Sequence, residues 1–194
     1  MTKKREFCDI ENHFILNCTL IKMKNLYNCL KMRVLIISDT HVESINYLPN
    51  VIIDEASNSD IVIHCGDIVG LNLIDELKQI CSTIYAVKGN MDPPEASVLP
   101  NKIIKYLSFL KVGIIHGSGA PIGIKKRILK EFDESLDIIF YGHTHIPENK
   151  LYEGIHFVNP GSVTRNIKNK FGSYGILNIK EKDYTINIKY IGQL

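Results

Sequence analysis

Two histidines separated by one residue, His143 and His145, lie in the segment Tyr-Gly-His-Thr-His at 141–145, directly after the apolar run at 137–140. Because side chains alternate along an extended chain, both imidazoles can face the same point. Imidazole suits divalent transition metals, and the glycine before His143 lets the backbone come close to a ligand. Paired histidines also arise by chance, so the pair predicts a metal site only if other segments supply further ligands.

Four earlier apolar segments also end in residues that can bind metals. In an open α/β sheet, ligands bind beyond the carboxyl ends of the strands, so residues at such ends converge even when they are far apart in sequence. A single histidine at a strand end is more often structural, but five strand ends of this kind favour one metal-binding cluster. The earlier residues are Asp39 and His41 after 34–37, Asp67 after 61–65, Asn90 after 83–87, and His116 after 111–115.

The predicted cluster holds two carboxylates, one amide oxygen and four imidazoles. This set suits Mn, Fe, Zn, Ni or Co, is too rich in nitrogen for calcium, and lacks the cysteines of a structural zinc site. Seven ligands exceed the needs of one tetrahedral ion and match two ions bridged by a carboxylate. Two dications would leave net positive charge beside Asp39 and Asp67, attract an anionic substrate and lower the pKa of a bound water to give hydroxide near neutral pH. This chemistry predicts hydrolysis of a phosphate ester by in-line attack.

The apolar runs that carry the first ligands alternate with helical segments at 48–57 and 71–81, which is a βαβαβ rhythm. Continuous runs of β-forming residues are typical of strands buried on both faces, so we expect a largely parallel first sheet. We therefore expect an α/β fold with two sheets packed face to face and helices outside, the second sheet being built largely from the C-terminal third. The later predicted elements are strands at 102–106, 111–115 and 137–141, a helix at 122–132, and strands at 149–151, 155–158, 172–179 and 184–190.

Composition predicts a single cytoplasmic domain. The chain has 194 residues, 45% of them hydrophobic, which fits one domain with a sizeable core. The net charge is +2, but the first 31 residues hold six of the 23 basic residues and three of the 21 acidic ones, so the remainder is near neutral and does not indicate nucleic-acid binding. Five cysteines without CxxC spacing indicate a reducing compartment, and no apolar run approaches the roughly 18 residues that cross a bilayer.

The first 31 residues have no sustained helical or strand period, whereas a regular pattern begins near Met32. We predict an N-terminal extension at 1–31, either poorly ordered or produced by an upstream start site, and one globular domain that carries the predicted ligands at 32–194. A genuine N-terminal helix packed on the domain is the alternative. Deleting residues 1–31 and measuring the melting temperature and activity distinguishes the extension from the packed helix. A large loss of either would favour the packed helix, because only such a helix would stabilise the domain.

The motifs Asp-x-His, Gly-Asp, Gly-Asn-x-Asp, His-Gly and Gly-His-Thr-His, in this order, resemble those of the calcineurin-like metallophosphoesterase superfamily across 32–194. The short chain and the later Asn-Pro-Gly-Ser at 159–162 make it most similar to the small bacterial and archaeal phosphodiesterase branch. The resemblance implies a four-layer αββα sandwich of two mixed β-sheets flanked by helices. It also implies two divalent ions per chain, with Mn expected first and Ni, Fe, Zn, Co or Mg as alternatives.

The resemblance further implies a role for each ligand. Asp67 would bridge the two ions, and the residues expected to take part in catalysis are Asp67, Asn90 and His116. The remaining assignment places Asp39, His41 and His145 on the first ion, and Asn90, His116 and His143 on the second.

One position departs from the superfamily pattern. Many members have histidine after the motif asparagine, where it contacts the phosphate or assists the leaving group, whereas this chain has Met91. A thioether cannot donate a proton. We therefore expect a phosphodiesterase that favours phosphodiesters or activated esters over poorly activated monoesters, with a small phosphoester as its partner. Neither a membrane nor a nucleic acid is indicated, and homo-oligomer formation is left open.

The alternative function is a non-catalytic protein-binding scaffold of the same fold. The retromer complex contains a subunit of this kind, in which the motif residues have partly changed. Because every ligand position is intact here, the sequence favours the enzyme over the scaffold.

Several other polar residues stand near these motifs. His64 and His156 lie inside apolar runs, so we predict that they are buried or lie behind the ligands. Asp92 either caps a turn or orients a ligand. Arg165 is expected at the surface, with neutralisation of a phosphate as its alternative role, and the basic run at 125–127 is expected on a solvated helix face.

Overall fold

The computed structural model describes residues 31–164 and 171–192. The predicted N-terminal extension lies outside this part of the chain except for Lys31, and Arg165 lies outside it as well. Lys31 is the first residue of the first strand, one position before the predicted start of the domain.

The first sheet contains five strands in the order β10-β9-β1-β2-β3. Strands β1, β2 and β3 run parallel to one another, so their carboxyl ends lie at one edge of the sheet. Strand β9 is antiparallel to both β1 and β10. Their bounds are β1 (Lys31–Ile37), β2 (Ile61–His64), β3 (Ile84–Ala86), β9 (Ser173–Lys180) and β10 (Asp183–Tyr190).

The second sheet also has five strands, in the order β4-β5-β6-β8-β7. The three central strands β5, β6 and β8 are parallel, and each outer strand is antiparallel to its neighbour. Their bounds are β4 (Lys102–Leu107), β5 (Leu110–Ile115), β6 (Ile138–Tyr141), β7 (Glu148–Tyr152) and β8 (Ile155–Asn159).

Three helices cover the outer faces of the sheets: α1 (Asn50–Ser57), α2 (Asn72–Ile80) and α3 (Ile124–Leu129). Leu73 and Leu77, four residues apart on α2, bury one face of that helix in the cluster that covers the first sheet. Helix α3 covers the second sheet. Between the sheets, apolar residues from both inner faces form a third cluster that includes Ile36 and Phe140. The order of layers is therefore helix, sheet, sheet, helix, as predicted.

Two details differ from the prediction. Strands β9 and β10 join the first sheet rather than the second, with Leu35 opposite Ile176, because alternation shows which face of a strand is buried but not which sheet it joins. Helix α3 is shorter than predicted, since Gly123 at its start has φ 74° and the residues after Leu129 continue with i to i−3 hydrogen bonds.

Membrane insertion was not predicted. Among the described residues, every helix is too short or too polar to span a bilayer.

Candidate metal centre

The predicted ligands all follow strand ends, and the backbone turns sharply at most of them. Five of the seven have φ between 51° and 69°, a region that residues other than glycine seldom adopt. Each such residue costs about 1 to 2 kcal/mol and persists where the surrounding structure holds it, often at functional sites. The five are Asp39, His41, Asp67, His143 and His145.

Four ligands form a first group at the ends of β1, β2 and β6. Oxygen or nitrogen atoms of Asp39, His41, Asp67 and His145 all lie within 4.8 Å of one another. Asp39 is fully buried, and its Oδ2 accepts hydrogen bonds from Ser38 Oγ at 2.6 Å and from the backbone N–H of His143 at 3.2 Å. Its buried Oδ1 accepts no hydrogen bond from the described residues, although His145 Nε2 lies 3.1 Å away. A buried carboxylate oxygen without a donor fits a cation ligand.

The second group surrounds the side-chain oxygen of Asn90 and includes His116. His116 Nδ1 lies 2.7 Å from Cys65 O, and because a carbonyl can only accept, Nδ1 carries the proton of the neutral ring. The bare Nε2 then faces Asn90 Oδ1 at 3.0 Å and Asp67 Oδ2 at 3.4 Å. Burial opposes charge on His116, but the hydrogen bond to Asp67 and the charges of Asp39 and Asp67 outweigh it and raise the pKa of His116. The negative charges that favour a proton on Nε2 of His116 also favour a divalent cation at the position of that proton.

His143 completes the second group in the same manner. Its Nε2 lies 2.8 Å from Gly119 O and therefore carries the proton of the neutral ring, which leaves Nδ1 facing Asn90 Oδ1 at 2.7 Å. Two bare imidazole nitrogens thus converge on one amide oxygen with no donor among them. Adjacent ligands that each bind an ion at about 2.1 Å are separated by about 3 Å, so these distances fit a shared ion.

Asp67 lies between the two groups, where the bridging residue was predicted. Its Oδ1 accepts a hydrogen bond from the backbone N–H of Met91 at 2.7 Å, and its Oδ2 approaches His116. Burial raises the pKa of Asp67, but the hydrogen bond and charge of His116, the Met91 N–H and His41 together lower it. The structure therefore brings all seven predicted ligands to one place, while their roles as ligands stay a prediction.

Two glycines allow the loops to approach these residues. A Cβ atom on Gly89 would lie 2.2 Å from both the backbone nitrogen and Oδ1 of Asp67, and one on Gly142 would lie 2.0 Å from Ser38 Oγ. Neither position can hold a side chain without moving a ligand residue or a residue that contacts one.

Asp92 holds the two loops of the first sheet together. Its Oδ1 accepts hydrogen bonds from the backbone N–H groups of Ile68 at 2.5 Å and Val69 at 2.8 Å, and its Oδ2 accepts one from Gly89 at 2.7 Å. The sequence left open whether Asp92 caps a turn or orients a ligand. Its three hydrogen bonds come from backbone groups close to Asp67 and Asn90, so Asp92 holds together the loops that carry these two residues.

Of the two other histidines among the described residues, His64 is buried as predicted, whereas His156 is only half-buried. His64 is fully buried behind the ligands, with Nδ1 accepting from Gly66 N–H at 3.2 Å and Nε2 3.0 Å from Thr40 Oγ1, and burial lowers its pKa to about 4. His156 is half-buried on β8, where Nδ1 lies 3.3 Å from the hydroxyl of Tyr184. Neither belongs to the two ligand groups.

The segment 159–162 supports the loops behind the ligands. Asn159 Nδ2 donates to Gly142 O at 2.7 Å, and Ser162 Oγ donates to Asp39 O at 2.8 Å. Both side chains are fully buried. The segment therefore supports the loops that carry Asp39 and His143.

A cleft of about 340 Å³ opens beside the second group. Its lining includes Asn90 and His116, Ile128 of α3, and the polar residues Lys88 and Asn101. Met91 is largely exposed, and its backbone rather than its thioether contacts Asp67.

Comparison with known proteins identifies the family. The calcineurin-like phosphoesterase superfamily domain matches residues 32–182. The chain belongs to this superfamily. A probable metallophosphoesterase from Methanocaldococcus jannaschii is 40% identical over 133 residues, covering 66% of this chain and 67% of the relative. A second protein of that organism, named a phosphodiesterase, is 29% identical over 168 residues, covering 79% and 96%.

Solved structures agree with this assignment. A Thermotoga maritima protein determined by NMR has a TM-score of 0.68 and 35% identity, covering 82% of this chain and 99% of that chain. A single mutant of Vps29 from Entamoeba histolytica has a TM-score of 0.67 and 27% identity, covering 84% and 94%. The predicted superfamily, its small archaeal and bacterial branch and the α/β sandwich are confirmed.

Proposed function

We propose that the protein is a binuclear-metal-dependent phosphodiesterase that hydrolyses a small phosphoester. The observation that carries the proposal is the convergence of acceptor atoms: a buried Asp39 oxygen without a donor and two bare imidazole nitrogens directed at Asn90 Oδ1. Acceptor atoms packed together in this way destabilise the folded protein when no cation is bound, and a bound cation removes that penalty. When bound, two divalent ions would polarise the phosphoryl group and lower the pKa of a water molecule to supply hydroxide.

The residues of the chain have distinct roles in this proposal. One ion would be held by Asp39, His41 and His145. The other would be held by Asn90, His116 and His143, and Asp67 would bind both. His116 Nδ1 donates to Cys65 O and His143 Nε2 donates to Gly119 O, and these two bonds fix which nitrogen of each ring faces the ion. We propose Mn²⁺ as the preferred ion, since the nitrogen and oxygen ligands suit it.

The preference for a diester is supported by the cleft and by Met91. A phosphodiester carries two ester groups, and the cleft of about 340 Å³ beside Asn90 and His116 provides room for one of them. No proton donor is available from the thioether of Met91 to assist a basic leaving group. The phosphodiesterase name of the second archaeal relative agrees with this preference. The cysteines at 65 and 81, both free and buried, support a cytoplasmic location.

The proposal is tested on the full chain after removal of metals and titration with Mn²⁺. We expect two ions per chain and release of nitrophenolate from bis-p-nitrophenyl phosphate that stops on chelation. Asn90→Ala should reduce turnover by at least about 100-fold. Asn46→Ala is the matched control, because Asn46 is exposed on the loop that precedes α1, outside both ligand groups.

The competing proposal is a non-catalytic scaffold, which the likeness to Vps29 supports. Full activity with one ion or none would contradict the binuclear site. Binding of two ions without turnover of any ester in a panel of phosphodiesters would favour the scaffold.

A further inference from the structure

Helix α3 carries a basic run that was expected to face solvent, yet Arg127 within it is half-buried and fully engaged. Its Nε donates to Ser118 O at 3.0 Å, Nη1 donates to Ile122 O at 3.1 Å, and Nη2 donates to Ala120 O. One guanidinium thus binds three carbonyls of a single five-residue segment, 118–122. Arginine is suited to this task because its donors form a rigid planar fork.

The segment 118–122 is an irregular loop. It forms neither helix nor strand, and glycines at 119 and 123, with φ 76° and 74°, give it conformational freedom. Both glycines lie against the guanidinium: a Cβ atom on Gly119 would lie 3.4 Å from Arg127 Nε, and one on Gly123 would lie 3.5 Å from Nη1. The segment therefore wraps around the guanidinium.

The same segment contacts a predicted metal ligand. Gly119 O, between two of the carbonyls that Arg127 binds, accepts the hydrogen bond from His143 Nε2 at 2.8 Å. This bond keeps the proton on Nε2 and directs Nδ1 at Asn90 Oδ1, 2.7 Å away. If the segment moved, His143 would lose the acceptor that selects its tautomer and its ring orientation.

We propose that Arg127 is a positioning residue for the second metal, acting through the segment 118–122 and Gly119 O on the ring of His143. The inference rests on the proposed metal pair, because it assigns His143 as a ligand. It predicts an effect on the second ion alone, since the first group has no contact with this segment among the described hydrogen bonds.

The test uses the full chain as unaltered protein, Arg127→Ala, Arg127→Lys and Lys126→Ala. Lys126 is the matched control because it is the neighbouring basic residue on α3 and is exposed. Arg127→Lys keeps the charge but replaces the planar fork of three nitrogens by a single ammonium, which cannot reproduce the three bonds in this geometry, and it serves if the alanine variant does not fold. Two quantities are measured: the ring tautomers by long-range proton–nitrogen NMR of metal-free protein at pH 8, and the two Mn²⁺ binding steps by calorimetry.

We expect His143, identified by the signal missing in His143→Gln, to show the Nε2–H form in unaltered protein and in Lys126→Ala. In the Arg127 variants this form should give way to a mixture, and the second Mn²⁺ step should weaken by about 10- to 100-fold while the first is unchanged. An unchanged tautomer overturns the inference, as does an equal weakening of both steps or a lower melting temperature as the only effect. If unaltered protein binds fewer than two ions while the tautomer still depends on Arg127, the metal pair fails and the positioning role of Arg127 stands.

Discussion

The carboxylate of Asp92 offers a sharp test of how the ligand loops are held. It is 8% exposed and accepts three backbone hydrogen bonds, from Ile68, Val69 and Gly89. Asp92→Asn preserves the volume and one oxygen. If that oxygen stays with Ile68 and Val69, the new amide group faces Gly89 N–H, so a buried donor meets a donor.

The size of the effect follows from these three bonds. A buried N–H without an acceptor costs about 1 to 3 kcal/mol, and each of the two remaining bonds weakens by about 1 kcal/mol when its acceptor loses its charge. A neutral amide is easier to bury than a carboxylate, which offsets part of this loss. We therefore expect the free energy of unfolding to fall by about 3 kcal/mol and the melting temperature by roughly 10 °C for a chain of this size.

Urea unfolding monitored by circular dichroism measures this change, and Mn²⁺ calorimetry measures its effect on the site. The second ion should bind more weakly than in unaltered protein, because Gly89 directly precedes Asn90. Asp75→Asn is the control: Asp75 is exposed on α2 and pairs with Lys78 at 3.0 Å, an interaction that contributes little. A loss below about 1 kcal/mol for Asp92→Asn, or an equal loss for the control, would refute the claim that three buried bonds converge on this carboxylate.

Three further results are expected. Asp67→Ala removes the predicted bridging carboxylate, so turnover of bis-p-nitrophenyl phosphate should disappear, and near-normal turnover would show that Asp67 does not bridge. Burial lowers the pKa of His64 from 6.5 to about 4, so as the pH falls this imidazole takes up a proton in the unfolded chain before it does so in the folded protein. The contribution of His64 to the free energy of unfolding should therefore be greatest above pH 6.5 and decrease by about 3 kcal/mol in total toward pH 4. His64→Gln, which cannot titrate, should flatten urea-unfolding stability in that window, and an unchanged pH dependence would exclude His64 as its source. Met91→His should raise turnover of alkyl monoesters by up to about 100-fold if the imidazole reaches the leaving oxygen; a rate in the unaltered enzyme that is independent of leaving-group pKa would show that another donor already acts.

The strand ends could be predicted because they combine two independent signals. Most residues of these runs are buried in the structure, all of them at 34–37, and a predicted metal ligand follows each of the five runs within a few residues. Convergence then follows from parallel strands, since β1, β2 and β3 end at one edge and β5 and β6 at another. The contact between Asp67 and His116 joins these two edges.

The supporting residues could not be predicted in the same way. Arg127 and Asp92 act on backbone N–H and C=O groups, which every residue possesses and which leave no trace in the sequence. A basic run on a helix predicts a solvated face by default, and nothing in residues 118–122 shows that their carbonyls converge on one guanidinium. The assignment of β9 to the first sheet failed for a related reason, because strand pairing depends on long-range packing.

The position of the candidate metal centre at the junction of the two sheets explains how the fold can hold so many acceptors without donors. The apolar layer between the sheets and the outer clusters supply the stability, and none of the seven ligand residues belongs to them. Five predicted ligands instead occupy left-handed backbone positions, and the buried Oδ1 of Asp39 accepts no hydrogen bond within the described part of the chain, so the site itself opposes folding. Buried side chains just behind the ligands, Asp92 and Ser162 among them, satisfy the backbone groups of these loops and keep the strained geometry in place. The unfavourable free energy of bringing these acceptor atoms together is thus offset during folding. Their lone pairs are therefore already oriented for the proposed ions.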